Sequence, residues 1–167
     1  LFAYNPKTDS ADNKWLRENK IFYSDFDKFI IRFFDDFPYE PMVHTGNDLS
    51  ELSNFGRSVS YTNAQGGTAW RDCIQETLDD LVKNYPPSSR RIIILMGDGD
   101  DRDSNISLDT LISNWKTFGQ NIPIISIGFG KAASQISYKN FGRYVNGQYY
   151  DGSTNLSEAF KKAYGNQ

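Results

Sequence analysis

Apolar positions along the chain fall into two alternating rhythms. Ile92-Ile93-Ile94-Leu95-Met96 is an uninterrupted apolar run of strand length, the pattern of a strand covered on both faces. Asn121 to Gly130 carries a second such run, through Ile124, Ile125 and Ile127, and ends in glycines. Lys28 to Phe34 and Lys20 to Tyr23 read as two more strands, joined by a short turn around Asp25 to Asp27, and Val145 to Tyr150 as a shorter edge strand. Helical spacing fills the intervals. From Ala69 to Asn84, Ile74, Leu78, Leu81 and Val82 share one face, and Pro86-Pro87 stops the helix. From Ser107 to Gly119, Leu108, Leu111, Ile112, Trp115 and Phe118 form a stripe, with Ser107 as N-cap and Gly119 at C′. Leu156 to Tyr164 predicts a terminal helix capped near Ser153 or Thr154, and Asp48 to Val59 a short irregular one. Strands alternating with helices predict an α/β fold: an open, mainly parallel, doubly wound sheet with helices on both faces.

Composition narrows the function classes. The 167 residues suit one domain. Lys and Arg number 18 against 21 Asp and Glu, a net charge of −3, so nothing electrostatic favours DNA, RNA or an anionic membrane. No apolar run approaches the ~18–20 residues of a membrane helix. The N-terminus has no basic segment followed by an apolar stretch, which excludes a signal peptide, and no initiator Met, which points to a start inside a longer chain. Cys73 stands alone, so an internal disulfide or a cysteine-based metal cluster is ruled out. His44 is also single and reads as a loop residue ahead of Thr45-Gly46-Asn47. Asn105-Ile-Ser107 and Asn155-Leu-Ser157 are glycosylation sequons, which matter only in a secreted protein.

In open α/β sheets, ligands bind beyond the carboxyl ends of the strands. Two segments fall there. Gly97-Asp98-Gly99-Asp100-Asp101-Arg102-Asp103 directly follows the most apolar strand, and Gln65-Gly66-Gly67-Thr68 directly precedes the helix from Ala69. Asp98 offers a carboxylate and Thr68 a hydroxyl, the hard oxygen donors that Mg²⁺, Mn²⁺ or Ca²⁺ selects. Each also has an ordinary structural explanation: Thr68 as a helix N-cap, Asp98-Gly99 as a turn, and the acidic run as a solvated loop. Asp101, Asp103 and Asn105 imitate the start of a calcium loop, but Ile106 replaces the required glycine and Ile112 the closing glutamate, so an EF-hand is excluded.

Taken in order, these segments resemble the von Willebrand factor A family. Gly66-Gly67-Thr68 followed by Asp72-Cys73-Ile74 is similar to its GGT…DAI segment. Arg90-Arg91-Ile-Ile-Ile-Leu-Met-Gly-Asp98-Gly-Asp100 is similar to RRIIVLTDGED. Ile124 to Gly130 resembles its next strand, and Asn146 to Phe160 its closing GGKYYDASDLEEAF pattern. The resemblance covers residues 20–167 and leaves 1–19 as an N-terminal extension or truncated remnant. It implies the Rossmann-like fold of that family and a metal-ion-dependent adhesion site (MIDAS), in which Thr68 and Asp98 would be metal ligands. The family's Asp-x-Ser-x-Ser motif, at the end of its first strand, has no counterpart here. A stunted first strand at Leu1 to Tyr4 would set Asn5, Lys7 and Asp9 in its place, where a lysine opposes a cation. Otherwise the strand comes from an upstream segment or a partner chain.

The function the resemblance implies is a protein-interaction domain, for adhesion or scaffolding within a larger assembly, and not an enzyme. Its cofactor would be Mg²⁺ or another divalent cation, at a site incomplete in this chain, with a partner Asp or Glu supplying a further ligand. The contrasting class is a metal- or Asp-dependent phosphohydrolase or phosphotransferase of α/β fold. There Asp98 would be nucleophile or metal ligand and Asp100 the second acid two residues on.

Overall fold

A computed structural model describes residues 4–5, 10–11, 24–62, 66–129, 132–155, 158–159 and 162–163. The strand expected at Lys20 to Tyr23 lies outside them. The chain forms two compact units, Leu1–Phe33 with Tyr39–Gln65, and Phe34–Pro38 with Gly66–Gln167.

In the first unit, strands β1 (Tyr4–Asn5) and β2 (Ser10–Ala11) pair antiparallel. Of the stunted strand expected at Leu1 to Tyr4 only Tyr4 is described, and it pairs antiparallel, opposite Ala11; Lys7 and Asp9 lie outside the described residues. Strand β3 (Lys28–Ile31) is shorter than expected and pairs antiparallel with β4 (Met42–Thr45), Phe29 opposite His44. His44 is thus a strand residue, not a loop residue. Alternation turns it inward between exposed Val43 and Thr45, and its ring stacks between Phe29 and Phe55 with centroids 6.2 and 5.5 Å away. Helix α1 (Leu49–Tyr61) is longer and more regular than its sequence suggests. Asp48 caps it, its Oδ1 accepting from the amides of Ser50 and Glu51 at 2.9 Å, and Leu52, Ser53, Phe55 and Gly56 are its buried side.

The second unit holds a parallel sheet in the order β5 (Ile93–Gly97), β6 (Ile124–Gly128), β7 (Tyr149–Asp151). Pairing is in register from Ile93 opposite Ile124 to Gly97 opposite Gly128. All of β6 is buried, as a central parallel strand should be. On one face Ile125 and Ile127 pack with Ala159 and Ala163, joined by Ile92, Ile94, Met96 and Tyr150. The other face carries Ile93 and Leu95, with helices α2 (Trp70–Asn84) and α4 (Ala132–Tyr144) against it. Ile94 and Met96 are only half-buried, against the expectation of full burial on both faces. Among the described residues β5 is the edge of its sheet, so no neighbouring strand covers that side.

Helix α3 (Leu108–Asn114) starts at Ser107, whose side chain accepts from Thr110 N as expected, and runs on into a wider π turn, Trp115–Gly119. Gly119 is not a left-handed C′ residue. It lies inside that turn, where a Cβ would overlap a methyl of Leu78, so its smallness serves the approach of α2. Trp115 Nε1 donates to Ile122 O at 3.0 Å and fastens the turn to the loop before β6. The terminal helical segment is capped by Asn155, one residue later than expected, with Oδ1 accepting from Glu158 N at 3.0 Å. Helix α4 was not legible: Ile136, its most apolar described residue, points to solvent, while Tyr138 and Phe141 carry its burial.

Candidate functional site

The site is built from two loops at the carboxyl end of β5: Gly66 to Ala69, leading into α2, and Asp98 to Ser107, leaving β5. They are stitched through the backbone. Thr68 O accepts from the amides of Arg102 (2.9 Å) and Asp103 (3.3 Å), while Thr68 N donates to Asp103 Oδ2 at 2.6 Å. Ala69 N donates to Asp35 O at 2.6 Å, and Gly67 N to the Asp36 carboxylate. The turn from Phe34 to Pro38 thereby belongs to the same end of the unit. Asp35 and Asp36 escaped the sequence reading, although they repeat its own signal, carboxylates directly after an apolar strand.

Helix α2 begins at Ala69, which offers no side-chain cap. The acidic loop substitutes for one. Asp101 accepts from Arg71 N (2.7 Å) and pairs with the Arg71 guanidinium (2.8 Å), and Ser104 Oγ accepts from Asp72 N at 3.0 Å. Carboxylates beside the first turn of a helix satisfy its unpaired amides and complement the positive end of its dipole. Asp72 returns the contact, accepting from Asn105 N (2.8 Å), Asn105 Nδ2 (2.9 Å) and Ile106 N (3.1 Å). Asp101 and Asp103 are therefore committed to loop and helix, which accounts for most of the acidic run. Asp100 accepts from Ser137 Oγ on α4 at 2.6 Å.

Thr68 and Asp98 remain. Thr68 does not cap α2; its Oγ1 lies 3.0 Å from where a Cβ on Gly99 would stand, beside the residue that follows Asp98. Asp98 is exposed immediately beyond β5, and its carboxylate makes no hydrogen bond among the described residues. The Thr68 hydroxyl and the turn that carries Asp98 thus lie at the same end of the sheet. No cluster of three or more His, Cys, Asp or Glu side chains able to hold a metal occurs among the described residues. Beneath the turn, Tyr138 is fully buried, its ring tilted against Trp70 at 5.7 Å, with Phe141 packed 5.0 Å from Trp70 on the same helix. Burial, and then the charges of Asp98, Asp101 and Asp100, push the Tyr138 hydroxyl well above the usual phenol range, so it stays a proton donor.

Comparison with solved structures places the fold. The chain is similar to the von Willebrand factor type A protein from Catenulispora acidiphila, with TM-score 0.64 at 17% identity, over 83% of this chain and 33% of that one. It is also similar to the SpRpn10 VWA domain, with TM-score 0.52 at 16% identity, over 73% of this chain and 62% of that one. No protein-family model and no curated protein sequence matches. The chain has the von Willebrand factor A fold, an α/β fold of Rossmann type, and spans a third of the first of these proteins and under two-thirds of the second.

Proposed function

We propose that the chain is a non-catalytic protein-interaction domain that meets its partner at the loop end of the β5–β6–β7 sheet. The observation that carries this reading is the pairing of Thr68 Oγ1 with the turn at Asp98, whose carboxylate is uncommitted while its acidic neighbours are engaged. Both are hard oxygen donors and fit two positions in the shell of Mg²⁺ or a similar cation. Thr68 and Asp98 would hold the ion, and the stitched loops would keep both oxygens in place. The bound cation supplies positive charge that a partner's Asp or Glu carboxylate can complete. Among the described residues no strand pairs with the outer edge of β5, which supports a second part of the proposal, that a strand from an upstream segment or a partner chain pairs there. Nucleic acid is an unsuitable partner at a net charge of −3, and no helix among the described residues is long and apolar enough to cross a membrane.

The phosphotransfer alternative is weaker because Asp100, its second acid, already accepts from Ser137. Calorimetric titration with Mg²⁺, beside turnover of a generic phosphoester, separates the two readings. Cation binding lost in both Thr68→Ala and Asp98→Asn, without turnover, supports the binding domain. Turnover abolished by Asp98→Asn overturns it.

A further inference from the structure

The step from α4 into β7 carries chemistry that the candidate site does not use. Asn146-Gly147 is the chain's only Asn-Gly sequence. Asn146 is exposed at φ 52°, in the left-handed region that asparagine tolerates better than most residues with a side chain. It stands just past the end of α4. The Gly147 amide donates to Gly142 O at 2.9 Å, which closes the helix as a Schellman turn. Gly147 then passes so close to Ile124 that a Cβ on it would overlap the Ile124 carbonyl oxygen. From there Gln148 O accepts from Ser126 N at 2.8 Å, and Tyr149 pairs with Ser126 as β7 begins. The Gly147 nitrogen therefore holds the end of α4 directly beside the entry to β7.

Elementary amide chemistry makes that nitrogen a nucleophile. Once it has lost its proton it can attack Asn146 Cγ, because glycine has no side chain to hinder the approach. The N–Cγ bond forms, the Cγ–Nδ2 bond breaks, and Nδ2 leaves as ammonia. Water then opens the cyclic imide, adding to one carbonyl carbon while the ring nitrogen takes back a proton, and the product is aspartate or isoaspartate. In the closed turn the N–H is committed to Gly142 O, so the reaction needs the turn open.

We propose that Asn146 is a self-modification site gated by the end of α4: the closed turn suppresses its deamidation, and isoaspartate, once formed, keeps the turn from closing and releases β7. An isoaspartyl link adds one backbone atom between residues 146 and 147, where the contact with Ile124 leaves no space for it. Either product also sets a carboxylate at the negative end of the helix dipole. The inference is independent of the cation reading above.

The test is ageing of the full chain in mildly alkaline buffer, native and in urea, with conversion at Asn146 followed by peptide mass spectrometry. Conversion should be about tenfold or more slower in the native chain, because it waits on local opening. Gly142→Ala adds a Cβ that meets nothing nearer than Gln148 C at 3.7 Å and strengthens α4, so native conversion should slow by roughly a further fourfold. Equal rates in buffer and urea, or an unchanged rate in Gly142→Ala, overturn the gate. No conversion in urea overturns the site itself. In the isoaspartate fraction the Ser126 amide, which donates to Gln148 O, should lose its protection from hydrogen exchange. Protection equal to that of fresh protein overturns the release of β7. Asn146→Gly, which suits the positive φ, should age without losing that protection; an equal loss there would also overturn the proposal.

Discussion

Replacing Asp72 with alanine should loosen the loop that carries the site, by an amount the structure allows to be worked out. Its carboxylate accepts three hydrogen bonds, from Asn105 N at 2.8 Å, Asn105 Nδ2 at 2.9 Å and Ile106 N at 3.1 Å. Hydrogen bonds to a charged acceptor contribute about 1.5–3 kcal/mol each when buried, and neutral ones about 1 kcal/mol. Asn105 is exposed, so water can take over its two donors, which brings those bonds to the lower figure or beneath it. The Ile106 amide is half-buried and less easily re-solvated. Asp72 also lies in the first turn of α2, where a negative charge adds about 0.3–1 kcal/mol. Together these give about 2–3 kcal/mol for Asp72→Ala. Asp72→Asn, which keeps one acceptor oxygen and loses the charge, should fall between it and the wild type. Urea unfolding followed by tryptophan fluorescence measures this, since Trp70 and Trp115 are buried in the same unit. A loss under about 0.5 kcal/mol for the alanine variant would show that the loop is held by something other than these bonds.

Three further outcomes follow from particular contacts. Ile127→Ala, at a fully buried position of the central strand, should cost about 2–5 kcal/mol, and Ile94→Ala distinctly less; equal losses in denaturant unfolding would mean that β5 is not an edge strand. The hydrogen bonds from Ser153 Oγ and N hold the Asp151 carboxyl below its ordinary range. This contribution to stability is present above the usual carboxylate value and is lost as pH falls through the lowered one. Ser153→Ala should therefore move the Asp151 titration upward in NMR, and an unmoved titration would refute the assignment. Last, the chain expressed alone should aggregate, and recover when a segment able to pair with the outer edge of β5, unpaired among the described residues, is supplied; a soluble, cooperatively melting monomer would refute the proposed additional strand.

Local pattern was enough for the elements whose signal is carried by neighbours in the chain. The run at Ile92 to Met96, the stripe of Ile74, Leu78 and Leu81, the cap at Ser107 and the α/β alternation are short-range properties, and they reappear in β5, α2, α3 and the parallel sheet. Helix α4 was missed because its buried residues, Tyr138 and Phe141, belong to a polar stretch, although with Val145 they keep the i, i+3, i+7 spacing of a helical face. Strand β4 was missed because only inward stacking on Phe29 and Phe55 distinguishes His44 from a loop histidine. At the site, residue types and loop order pointed to Thr68 and Asp98, but the division of labour among the aspartates was invisible in the sequence. Asp98, Asp100, Asp101 and Asp103 share one charged loop. Only the approach of α2 and α4 commits Asp101 to Arg71, Asp103 to Thr68 N and Asp100 to Ser137. A carboxylate's role depends on which donors come within hydrogen-bonding reach, and those donors stand 30 to 37 residues away along the chain.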